Sequence, residues 1–208
     1  MLWLNEEIKF PPHSQTTKHG IIALGGDLSA RRLIHAYQNG IFPWFSEQDP
    51  IIWYCPFRRM VLFPDEVKVS KSMKKLFRDN AFEVTENKAF PDVIHRCKTI
   101  LRADEAGTWI TDDMERAYIE MHYEGFASSI EVWKDGDLVG GLYGVVVNGV
   151  FCGESMFSEV SNASKYAFIH LAKSNKYRLI DCQIHTDHLE SLGAREIDRD
   201  DFLKILKA

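Results

Sequence analysis

No stretch of this 208-residue sequence approaches the ~20 uninterrupted apolar residues that a membrane-spanning helix requires. The first residues, Met1-Leu2-Trp3-Leu4-Asn5-Glu6-Glu7, lack the basic start and apolar run of an export signal. Cysteine is sparse: Cys55, Cys97, Cys152 and Cys182 stand far apart with no CxxC pair, against both a zinc ribbon and a disulfide scaffold. Repeats and low-complexity tracts are absent too. The expectation is a cytoplasmic protein with reduced thiols and no membrane partner. A basic excess is also missing, since 25 Lys/Arg face 30 Asp/Glu, which excludes a uniformly basic nucleic-acid coat.

What is present suffices for a core: 45% of the residues are hydrophobic, enough for one large domain or two small ones. Charge is unevenly spread. Residues 1–102 carry 15 Lys/Arg against 11 Asp/Glu, and residues 103–208 carry 10 against 19, so RNA remains a possible partner for the first part. Residues 1–60 are rich in turn signals and aromatics, with one clear helix capped by Ser29, striped by Leu33, Ile34 and Tyr37, and closed at Gly40. Further helices are predicted from Ser70 through Arg78 with Met73, Leu76 and Phe77 inward, from Pro91 to about Leu101, and from Thr111 to Gly125. The period then changes to that of strands: 129–133, 138–147 and 150–157, with Asn148-Gly149 as a strong hairpin signal. A helix over 162–174, a strand over 178–183, a short helix ended by Gly193 and a C-terminal helix complete the pattern. This predicts an α+β (mixed α/β) fold whose second part holds a curved, largely antiparallel sheet.

Several residues invite a chemical reading beside a plain one. Glu154 lies inside the apolar run from Phe151 to Phe157, where a carboxylate is costly unless paired or used; the alternative is an outward-facing side chain on a half-exposed strand. Ser155 is no hydrolase nucleophile, because position 157 is Phe where the sharp turn needs Gly. Asp181 and Gln183 share one face of a predicted strand, where a carboxylate can orient an amide that holds an amine, or both can simply be solvated at a strand end; Cys182 is expected to point the other way into packing. The His185-Thr186-Asp187-His188 run reads better as helix capping by Asp187 with a hydrogen-bonded His188 than as metal ligation. Gly25-Gly26-Asp27 before a helix reads as a structural turn rather than an anion site, and Gly140-Gly141-Leu142-Tyr143-Gly144 as a strand allowing a bulge or close approach. The cations Lys71, Lys74, Lys75 and Arg78 form either a solvated face or a phosphate-backbone contact, and Trp44, Trp53 and Trp109 either stack on bases or fill the core.

In order and together, these segments resemble the leucyl/phenylalanyl-tRNA–protein transferases. The matching residues are Ile22 through Ser29, Ala36-Tyr37 with Gly40-Ile41-Phe42-Pro43-Trp44, Gly107-Thr108-Trp109-Ile110, Ser129 through Trp133, Gly140 through Gly144, Phe151 through Ser158, Asn162-Ala163-Ser164-Lys165, Ile180-Asp181-Cys182-Gln183, and His188-Leu189 with Ser191-Leu192-Gly193-Ala194. The resemblance implies a small N-terminal α/β domain over residues 1–62 and a GNAT-like acyltransferase domain over 63–208. It implies transfer of Leu, Phe or Met from aminoacyl-tRNA to proteins beginning with Arg or Lys, tagging them for the bacterial N-degron pathway. No cofactor or metal is expected, because the aminoacyl ester is already activated, and the chain is expected to act as a monomer. By this likeness Gln183, oriented by Asp181, holds the attacking amine and Glu154 lines the acceptor site. Leu142, Phe151, Met156 and Phe168 are the expected wall of the donor side-chain pocket, Trp109 meets the terminal adenine, and Trp44 lies near that pocket. The basic helix suits the tRNA acceptor stem. The chain ends soon after Phe202-Leu203, short of the tail of some relatives, and contacts made there are expected to be lacking. Two other classes compete. An acetyl-CoA-dependent acetyltransferase would need a glycine-bearing pyrophosphate loop, and Ser158-Glu159-Val160-Ser161-Asn162-Ala163 has no glycine. A non-catalytic RNA-binding module would retain tRNA without transfer.

Overall fold

The computed structural model describes residues 2–100 and 109–208, and its elements follow one another as β1 (Leu2–Leu4), β2 (Ile21–Gly25), α1 (Ala30–Gln38), β3 (Phe42–Pro43), β4 (Ile52–Tyr54), β5 (Arg58–Leu62), α2 (Lys71–Arg78), β6 (Glu83–Glu86), α3 (Phe90–Thr99), α4 (Asp112–Tyr123), β7 (Ala127–Lys134), β8 (Asp137–Val147), β9 (Val150–Ser158), α5 (Ala163–Lys173), β10 (Leu179–Gln183), α6 (Asp187–Ser191), β11 (Arg195–Asp198) and α7 (Arg199–Lys207). The end of the helix expected at Leu101, and the Gly107-Thr108 pair, lie outside the described residues. The capping signals act as their chemistry requires: Ser29 Oγ accepts the Arg32 amide at 3.4 Å, Ser70 Oγ that of Met73 at 3.2 Å, and Thr111 Oγ1 that of Met114 at 3.2 Å. Each such cap contributes about 1 kcal/mol to its helix.

The strands form two sheets. The smaller has the order β1-β2-β4-β3, and the larger β11-β5-β10-β9-β8-β7-β6. Every neighbouring pair of the larger sheet is antiparallel except β9 with β10, whose parallel pairing follows from the crossover helix α5 between them. The α+β fold with a largely antiparallel sheet is therefore what the chain adopts. The strands of residues 1–62 and the edge strand β11 are too short or too irregular for the period to announce them. β5 is hydrogen-bonded between β10 and β11, so the change from the small sheet to the large one falls between Tyr54 and Arg58, ahead of residue 62.

Alternation along the large sheet divides its side chains between two cores. Val61, Val145, Cys152 and Leu179 join one core with Leu33 and Tyr37 of α1, Val93 of α3, Tyr118 of α4 and Phe202 of α7; Met60, Leu62, Leu142, Phe151 and Ile180 join the other with Met73 of α2 and Phe168 of α5. Ile22 and Trp53 of the small sheet belong to the first core, so the two sheets share buried apolar contact. Gly140 explains the seating of α5: a Cβ there would stand 2.5 Å from the Cβ of Ala163, so the helix packs directly on the strand backbone.

Candidate active site

β9 and β10 pair only through Leu179↔Val150, Ile180↔Phe151 and Asp181↔Cys152, while β9 continues to Ser158. Beyond that point the strands have no shared ladder, and both carry a bulge there. The pairing of β8 with β9 passes from Tyr143↔Ser155 to Gly144↔Gly153, which leaves Glu154 as the extra residue; the pairing of β10 with β5 passes from Asp181↔Val61 to Gln183↔Met60, which leaves Cys182 as the extra one. Bulges of this kind re-aim side chains beside functional sites. The gap holds a cavity of about 470 Å³. Its lining includes the four expected wall residues Leu142, Phe151, Met156 and Phe168, the indoles Trp44 and Trp109, and Glu154 and Gln183.

Two hydrogen bonds hold Glu154, and a second phenol backs one of them. Gln183 Nε2 donates to its Oε1 at 2.7 Å, Tyr118 Oη donates to its Oε2 at 3.1 Å, and the Tyr118 hydroxyl is in turn bonded to that of Tyr37. Burial pushes the carboxyl up from 4.5 to about 7, against the pull of the phenol and amide donors around it. Burial likewise raises both phenols well above 10, so they remain protonated donors. Neither tyrosine was singled out as functional from sequence, where Tyr37 is one position of an apolar stripe. Only their convergence on Glu154 distinguishes them from other core phenols.

Asp181 is fully buried and does not line the cavity. Its carboxylate is gripped by Arg59, with Nε to Oδ1 at 2.7 Å and Nη2 to Oδ2 at 2.6 Å. Asp181 does orient Gln183, but through the backbone: Oδ1 accepts the Gln183 amide N–H at 2.9 Å, and Gln183 is left-handed with φ +62°. Strand alternation thus ends at Cys182, and it is Glu154 that holds the Gln183 side-chain amide. Cys182 packs against the second core, as expected, and also lines the cavity. Arg59 carried no local signal, because its partner is 122 residues away.

The other sequence features sort by contact. Asp27 accepts from the Ser29 amide and pairs with buried Arg32, so the Gly25-Gly26-Asp27 turn is structural. Trp53 is buried and donates to Gly25 O at 2.8 Å, which makes it core, whereas Trp44 is 42% exposed at the cavity and tilted against Tyr54. Thr186 rather than Asp187 caps α6, its Oγ1 accepting the Leu189 amide, and His185 pairs with Glu190 at 3.1 Å. Ser158 Oγ accepts the Ser164 amide, occupying an N-terminal donor of α5 that a pyrophosphate would need. Lys71, Lys74, Lys75 and Arg78 are exposed on α2, away from the cavity lining.

Comparison with known proteins adds the following. The model of the leucyl/phenylalanyl-tRNA protein transferase family matches residues 61–207, and that of its N-terminal domain matches 26–56. A leucyl/phenylalanyl-tRNA–protein transferase from Flavobacterium psychrophilum is 55% identical over 210 residues, covering 100% of both chains. One from Flavobacterium johnsoniae is 54% identical over 211 residues, again covering 100% of both. One from Chromobacterium violaceum is 51% identical over 210 residues, 99% of this chain and 90% of the relative. Among solved structures, a GCN5-related N-acetyltransferase-like protein from Streptococcus suis aligns with a TM-score of 0.39 at 13% identity, over 78% of this chain and 61% of that one.

Proposed function

Because the chain belongs to the leucyl/phenylalanyl-tRNA–protein transferase family, we propose that its cavity lodges the side chain of a leucyl or phenylalanyl residue still esterified to tRNA, and that Glu154 and Gln183 receive the acceptor's amine beside it. The observation that carries this reading is an apolar cavity of about 470 Å³ with a carboxylate–amide pair in its wall. Leu142, Phe151, Met156 and Phe168 offer contact to a bulky neutral side chain and nothing to hydrogen-bond a polar one. An unbranched thioether fits such a wall too, so Met is included among the donors. Trp109 presents an indole on which the terminal adenine can stack, and Trp44 lies beside the donor pocket.

The reaction is an aminolysis. The acceptor's α-amine forms a C–N bond to the ester carbonyl, the C–O bond to the terminal ribose breaks, and the proton lost by nitrogen is balanced by the one gained by the ribose oxygen. No nucleophile of the protein is needed, so alignment is the main contribution of the residues. Gln183 Nε2 is committed to Glu154, which leaves its side-chain carbonyl to accept an N–H of the amine. Glu154 places negative charge where an acceptor beginning with Arg or Lys brings positive charge. Among the described residues no helix is long and apolar enough to cross a membrane.

Purified protein given labelled Phe-tRNA or Leu-tRNA is expected to label peptides beginning with Arg or Lys and to leave one beginning with Ala unlabelled. Equal labelling of the Ala peptide would overturn the acceptor assignment. Gln183→Ala is expected to lose about 100-fold in turnover with little change in the KM for aminoacyl-tRNA.

A further inference from the structure

The buried ion pair behind the cavity does more than satisfy two charges. Arg59 is 1% exposed and Asp181 0%, and the pair is bidentate. Removing two charges from water is costly, and an apolar pair of like volume is often as stable, so the geometry the pair imposes needs its own explanation. The contacts of Arg59 supply one. Nη1 donates to Gly40 O at 3.1 Å, immediately before the 41–44 segment that ends in cavity-lining Phe42, Pro43 and Trp44. Its guanidinium lies 4.7 Å from the Phe42 ring centroid and 4.6 Å from that of Phe202 on α7. On its other side, Asp181 Oδ1 both accepts from Arg59 Nε and holds the left-handed amide of Gln183. One planar cation therefore ties the aromatic wall to the corner that aims the amide. A non-glycine residue with positive φ persists only where its surroundings over-determine it, and here the over-determining contact runs back to Arg59.

We propose that Arg59 is a positioning residue for this site, fixing through Asp181 the corner that aims Gln183 and, through Gly40 and Phe42, the facing wall of the cavity. It touches no substrate. The inference rests on the transfer reaction proposed above, and it gives Asp181 the role of an intermediary between Arg59 and the Gln183 backbone. Lysine keeps the charge but has no fork to grip both carboxylate oxygens while reaching Gly40.

Arg59→Lys and Arg59→Ala, each with melting behaviour recorded to establish that it is folded, are compared with wild type in three measurements: steady-state transfer of Phe from Phe-tRNA to an Arg-beginning peptide, the same transfer with millimolar guanidinium added, and amide exchange of residues 179–186 followed by mass spectrometry. Expected are a fall in kcat of about 100-fold with the KM for Phe-tRNA within about threefold, faster exchange at the Gln183 amide, and partial recovery of Arg59→Ala by guanidinium but not by equal sodium. A folded Arg59→Lys with wild-type kcat and wild-type exchange overturns the inference. So does a loss of kcat that merely follows the unfolded fraction. If Arg59→Ala does not fold, Arg59→Lys still decides. The exchange readout needs no substrate, so a wild-type protein that transfers nothing would defeat the proposed reaction while the exchange data judge Arg59 separately.

Discussion

A carboxyl held near neutrality by opposing effects is a sensitive reporter of its own surroundings. Glu154 accepts from both Gln183 and Tyr118 only as a carboxylate, and burial has pushed it up to about 7. Protonation would convert one acceptor oxygen into a donor facing a donor. The rate of transfer per acceptor, kcat/KM, is therefore expected to rise with pH through about 7, in addition to the limb set by the acceptor's own α-amine. In Glu154→Gln the first limb should vanish and the second remain; a pH–rate profile measured for both proteins checks this. The same residue makes a stability prediction whose sign follows from linkage. The folded chain binds this proton more tightly than the unfolded chain, so Glu154 lowers stability as pH rises from 4.5 to about 7 and by a constant amount above it. Between pH 4.5 and pH 8 the stability of Glu154→Gln relative to wild type should shift in the variant's favour by on the order of 2 kcal/mol, read from thermal or denaturant melts at the two pH values.

At the scale of elements, the site exists because two adjacent strands stop pairing. The bulges at Glu154 and Cys182 fall where the β9–β10 ladder ends, and the first depends on a glycine. A Cβ at Gly144 would stand 2.3 Å from Cys152 O and 2.6 Å from the Phe151 ring, and because the nearest atom is backbone, no side-chain rotation relieves it. Gly144→Ala is expected to destabilise by about 2–3 kcal/mol and to impair transfer even where the protein is folded, because β9 must shift and carries Glu154, Phe151 and Met156 with it. A melting curve together with activity at a temperature well below the transition separates the two effects. The Asn148-Gly149 hairpin is legible from sequence because a type of turn is a local choice. The bulge is not, because it is defined against the facing strand.

For the whole molecule, the uneven charge of the two halves matches the proposed division of labour between polyanion and cationic terminus. The exposed cations of α2 do not line the cavity, so they can affect a large donor without affecting a small one. Replacing Lys71, Lys74 and Lys75 together by Ala is expected to raise the KM for Phe-tRNA about tenfold or more and to flatten its salt dependence by about 2–3 in log–log slope. Transfer from a phenylalanyl-adenosine fragment, which lacks the acceptor stem, should be unchanged. Equal loss with tRNA and fragment would remove α2 from the tRNA contact.

How much was legible in the residues themselves divides along the range of the interactions. Helix limits at Ser29, Ser70 and Thr111, the strand meander over 127–158 and the apolar character of Leu142, Phe151, Met156 and Phe168 follow from local capping, period and side-chain chemistry, and they are present in the chain as written. Side-chain chemistry marked Glu154 and Gln183 as candidates and ordered resemblance gave them roles, although periodicity placed Gln183 on the face of Asp181 and so misassigned the partner of its amide. What tertiary structure decided was everything that needs a distant partner: β5 joining the large sheet, Arg59 meeting Asp181, Tyr37 and Tyr118 converging on Glu154, and the divergence of β9 from β10 that opens the cavity. Local sequence sets what a residue can offer, whereas a buried charge pair or a broken ladder depends on which segment folds against it.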